Sequence, residues 1–201
     1  MVKPKDKYYY FSIFIAVSAL SFLLGLTAFT LVRETSWLYN SFSDSFFDIH
    51  RMISQNKSHF NVGIILKDFV FEIKYVLCIF IMGFTRYRNA LVPSVLAYKG
   101  VVSGIGCSLF FRIVLQKAPD FKTLIFGGIV FCIINALTVL CLCLFASYDM
   151  IYSKKIILPI KFTNLIKRRD TRTILTEICA YIGVLLIVSV IKSLNLMHLF
   201  L

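Results

Sequence analysis

Lys99 stands inside the apolar run LVPSVLAYKGVVSGIGCSLFF, about nine residues from its start, which in a helix rising 1.5 Å per residue puts the ammonium roughly 13 Å deep. In a bilayer a cation at that depth costs about 2.5 to 3.5 kcal/mol and calls for an acidic or carbonyl partner. Glu177, near the start of the last apolar run, is the best-placed acid. Glu72 and Lys74 at the start of the second run and Arg112 at the end of the third form another set, which meets if those two helices are antiparallel neighbours. Asn135, midway along the fourth run, suits an interhelical hydrogen bond worth about 0.6 to 2 kcal/mol. The chemistry such groups serve is ion or proton movement. That requires a chain of titratable groups across the span, and the sequence displays no continuous one.

Covalent catalysis needs a nucleophile with a base beside it. His50 and His59 fall in a polar segment and His198 at the chain end, which leaves no imidazole within an apolar run to serve Ser94, Ser103 or Ser108. No G-x-S-x-G, no H-E-x-x-H and no pair of aspartates inside an apolar run occurs. Cys141-Leu-Cys143 offers two thiols without a nearby histidine or second cysteine pair, short of a metal site. The expectation is a non-enzymatic protein with no metal and no cofactor.

The elements that would position these groups are long apolar helices. Runs at about 8–32, 69–84, 91–115, 123–147 and 174–194 approach or exceed the roughly 20 residues that cross a 30 Å hydrocarbon core, the second being marginal. Apolar residues make up 59% of the chain and the mean hydropathy is +0.82, more than a soluble core of this size requires. The sequence predicts an all-α polytopic protein of five transmembrane helices, one integral membrane domain over 1–201, with loops at 34–68 and 148–173. Lysines precede the first run as in a signal peptide, but about 25 apolar residues exceed a signal core of roughly 7 to 15, so an uncleaved anchor is expected. All six cysteines lie in or beside apolar runs, and no disulfide is expected.

A net charge of +12 raises the question of nucleic acid, and the positions of the 22 Lys and Arg answer it. With the N-terminus inside, twelve fall on the inner side: Lys3, Lys5, Lys7, Arg86, Arg88, Lys154, Lys155, Lys161, Lys167, Arg168, Arg169 and Arg172. Six fall outside, namely Arg33, Arg51, Lys57, Lys67, Lys117 and Lys122, interspersed with acids. The positive-inside rule gives N-in and C-out, with Asn195 to Leu201 outside. The basic segments are orientation signals that also suit anionic lipid headgroups, and no nucleic-acid partner is expected.

Ala97, Gly100, Gly104 and Cys107 recur at spacings of three and four, a small-residue face containing a GxxxG. Packing inside the chain's own bundle is the ordinary use of such a face; a partner or a homo-oligomer contact is the other. In the outer loop Leu38, Phe42, Phe46, Ile49 and Ile53 mark an amphipathic helix, with Asp44, Asp48 and Arg51 on its other faces. It would lie on the membrane surface or the bundle, or present Phe42 and Phe46 to a partner. The segment SKKIILPIKFTNLIKRRDTR mixes apolar and basic residues around Pro159 and suits the inner headgroup layer.

The stretch EIKYVLCIFIMGFTRYRNALVPSVLAYKGVVSGIGCSLFF, Glu72 to Phe111, resembles the stage II sporulation protein M family of bacterial integral membrane proteins. Lys74, Gly83, Lys99, Gly100 and Gly104 match its pattern of a lysine, a short span ending in glycine, a turn, and a helix bearing Lys-Gly and further glycines. SFLLGLTAF, with Gly25, is similar to that family's first span. The turn departs, being Thr85-Arg86-Tyr87-Arg88 where the family has a smaller, uncharged character. The resemblance implies a multi-pass protein of the bacterial cell membrane. It implies a non-enzymatic scaffold for a peptidoglycan-remodelling complex in engulfment, with a membrane-anchored amidase and a lytic transglycosylase as partners beside membrane lipids. A small transporter or permease subunit using Lys99 and Glu177 is the alternative from another class.

Overall fold

The computed structural model describes residues 4–31, 62–117, 121–153 and 169–200. Among them the chain is all-helical, with α1 (Pro4–Leu31), α2 (Val62–Gly83), α3 (Arg88–Lys117), α4 (Phe121–Ser153) and α5 (Arg169–Phe200). Three carry stretches long and apolar enough to cross a membrane: Tyr8–Ala28 in α1, Arg88–Phe111 in α3 and Gly128–Ile151 in α4. In α5 the apolar stretch is shorter, Thr176–Ile191.

The helices outrun their apolar cores, because backbone hydrogen bonding continues past the point where hydropathy falls. α2 is 22 residues long, not the 16 or so of its apolar run, and begins inside the segment expected to be a loop. Residues 148–153 and 169–173, expected in the inner loop, belong to α4 and α5, and α5 continues through residue 200, past the end expected at Leu194. The amphipathic segment Leu38 to Ile53 and most of the basic segment lie outside the described residues.

A tight turn joins α2 to α3, with Phe84 N bonded to Ile81 O, Thr85 N to Met82 O and Arg88 N to Thr85 O. Thr85 also donates its hydroxyl to Met82 O at 2.7 Å, a second bond to a carbonyl at the helix end, where the α-helical partner is missing. Pro93 sits in the second turn of α3 and removes one amide there; Ser94 donates to Ala90 O close by. α3 and α4 are antiparallel, since Phe110 stacks on Phe131 at 4.4 Å between centroids while Gly128 abuts Phe111.

One core draws on all five helices: Phe14 from α1, Tyr75, Val76 and Ile79 from α2, Val92 and Leu96 from α3, Leu142, Cys143, Phe145, Ala146 and Met150 from α4, Ile178 and Leu185 from α5. The outward faces are apolar as well. Leu20 and Leu24 on α1, Ile81 on α2, Ile129, Ile133 and Leu137 on α4, and Ile187 on α5 are all exposed. Large apolar residues outside and charges inside reverse the soluble arrangement and match a lipid surround.

Candidate functional site: a buried ion pair and the glycines beside it

The α2–α3 turn fixes the register of everything above it. Glu72 precedes Gly83 by as many residues as Lys99 follows Arg88, so an antiparallel hairpin brings the two to one level, about 16 Å from the turn. There Lys99 Nζ donates to Glu72 Oε1 at 2.5 Å, with the two side chains 3% and 4% exposed. The sequence pointed Lys99 to Glu177; the structure gives it Glu72. The difference follows from the true start of α2 at Val62, which moves Glu72 from the edge of a span to the middle of a helix. Glu177 is half-buried on α5, and the side chain of Arg112 lies outside the described residues.

Aromatic rings line the pair. Lys99 Nζ is 4.9 Å from the Tyr75 ring centroid and 5.7 Å from that of Phe71. Lys74, expected beside Glu72 in a charge cluster, is exposed and lies 3.5 Å over the Phe71 face, a cation–π contact. Glu72 Oε2, Tyr75 Oη and Ser103 Oγ are buried and make no hydrogen bond.

On the next residue of α3 the chemistry changes. A Cβ at Gly100 would stand 2.7 Å from Ser18 O of α1, and at Gly104 it would collide with Phe22 O. Gly25 reciprocates from α1, where a Cβ would collide with Val101 O. The contacts climb both helices in one direction, 18 to 100 and 22 to 104, so α1 and α3 run parallel with their backbones touching. The small-residue face is thus divided. Gly100 and Gly104 serve α1, Ala97 is half-buried, and fully buried Cys107 meets Cys132 of α4 with sulfurs 3.7 Å apart. None of the six cysteines forms a disulfide.

Two features escaped the sequence, and a third took a partner other than the one expected. Asp149 is 2% exposed, its carboxylate pressed against Gly83 so closely that a Cβ there would displace it, and Arg88, also buried, acts on it electrostatically. Hydropathy ended the fourth run at Ser147 and left Asp149 in a loop; the register of the hairpin end would have found it. Ser18 Oγ and Cys143 Sγ meet at 3.3 Å between α1 and α4, a pairing no sequence signal marks. Asn135 donates Nδ2 to Phe131 O at 3.0 Å, so its bond is within its own helix and not between helices.

The arrangement holds helices together by charge, by backbone contact and by buried polar seams. Among the described residues no group of three or more His, Cys, Asp and Glu could hold a metal ion. No family model, no curated protein and no solved structure matches the chain.

Proposed function

We propose that this chain is a five-span protein of the bacterial cell membrane, N-terminus inside, that acts as a non-enzymatic scaffold for membrane-anchored peptidoglycan hydrolases. One observation carries the reading. Of the residues that carry the resemblance, Lys99 holds Glu72, Gly100, Gly104 and Gly25 lock α1 to α3, and Gly83 seats Asp149. Their roles are architectural, as suits a motif that preserves a frame. Because Gly100 and Gly104 are spent on α1, partners would dock elsewhere, with the outer segment Leu38 to Ile53 the first candidate.

Crosslinking and affinity capture of the tagged chain from its native cells, sampled through growth and sporulation, tests this. Recovery of an amidase or a lytic transglycosylase anchored in the membrane is the expected result. Capture that returns intact protein without any wall-remodelling enzyme contradicts it. The transport alternative draws on the buried Lys99–Glu72 pair; it predicts solute flux through reconstituted protein, lost when both residues are replaced, and fails if vesicles with and without the protein are equally tight.

A further inference from the structure

We propose that the Lys99–Glu72 pair is a proton-binding site, reached from the end of the bundle opposite the α2–α3 turn. The proposal is independent of the scaffold reading.

The pair leaves one carboxylate oxygen unspent. Lys99 holds Glu72 Oε1, while Oε2 is buried with no hydrogen bond, as are Tyr75 Oη and Ser103 Oγ. An acceptor and two hydroxyls buried around a charge pair suit a proton, because a hydroxyl can accept a bond from a carboxylic acid and donate one to a carboxylate.

The two directions along the seam differ. Toward the turn, Val76, Ile79, Val92 and Leu96 are 1%, 0%, 0% and 1% exposed and close the path with hydrocarbon. Away from it, Asp68 lies one turn along α2 and Ser103 one turn along α3, and the antiparallel register sets them on the same level. Asp68 is half-buried and its Oδ2 is buried, so its carboxylate spans from the surface to the interior of the seam, where a proton it takes up can pass inward.

The step adds a proton to Glu72 Oε2, turning the carboxylate into a carboxylic acid; the only bond that breaks is the one that held the proton on Asp68. Lys99 keeps its ammonium and its bond to Oε1. The positive charge then left on Lys99 has the Asp68 carboxylate, once more ionised, one turn away, which limits the cost of charging the site in a medium of low dielectric. The other titratable groups around Tyr75 are Lys74, Cys78 and Tyr98, and the same core takes Tyr10 from α1, Cys143 from α4 and Tyr181 from α5.

Infrared difference spectroscopy on oriented proteoliposomes, with the protein carrying isotope-labelled glutamate, tests the proposal. Acidifying the side opposite the turn should produce a labelled carboxylic-acid carbonyl band that Glu72→Gln abolishes and Asp68→Asn slows at least tenfold. If Glu72→Gln does not fold, the band is assigned by its persistence in Glu34→Gln and Glu177→Gln. Absence of any labelled carboxylic-acid band from Glu72 while the protein stays folded would overturn the site. Equal protonation from the turn side would overturn its one-sided access.

Discussion

Two adjacent residues of α3 make opposite kinds of interface. Lys99 reaches α2 through long side chains, a charge pair and aromatic rings; Gly100 reaches α1 by having no side chain, so that backbone meets backbone. The first is strong only while both partners are present, since each charge is expensive without the other. The second rests on shape alone and tolerates no added atom. In lipid, where burying apolar surface gives no advantage over leaving it against acyl chains, these two devices do what a hydrophobic core does in water.

The largest effect that sharpens this contrast is Lys99→Ala, which strands Glu72 at mid-depth and should destabilise the bundle by about 3–5 kcal/mol, read from unfolding in mixed detergent. Replacing both members, Lys99→Met with Glu72→Leu, should restore most of that loss, because an apolar pair of similar volume needs no partner charge. Gly104→Leu comes next. Its side chain meets the Phe22 carbonyl, and a cost of about 3 kcal/mol should appear, with no recovery from enlarging or reducing side chains on α1 because the obstacle is main chain. Equal rescue of both sites by side-chain replacements would erase the distinction.

Glu72 was legible in the sequence and was misplaced for a physical reason. Hydropathy marks where a helix meets lipid, whereas hydrogen bonding marks where it begins, and α2 begins seven residues before Phe69, the start of its apolar run. The same gap hid Asp149, two residues beyond Ser147 yet inside α4. The glycine spacing depends on helical period alone, which no boundary error disturbs. Which neighbour that face would take was open, since period fixes a face and not its partner. The tertiary pairing of Ser18 with Cys143 has no local signature at all.

Smaller effects grade the contrast further. Gly83→Ala sets a methyl against the Asp149 carboxylate, a side-chain end that can move, so about 1 kcal/mol is expected, with Asp149→Ala as the rescuing change in the same unfolding assay. Ser18→Ala removes a weak hydroxyl–thiol contact and should cost about 0.6 kcal/mol, close to the smallest difference such an assay resolves.

The most direct test of the account is a double-mutant cycle on Lys99 and Glu72, with unfolding free energies measured for wild type, Lys99→Met, Glu72→Leu and the pair. The account predicts that each single change is costly, that the double change is close to wild type, and that the coupling is about 3 kcal/mol or more. Additive single effects would mean that the two charges do not meet, and the bundle described above would be wrong at its centre.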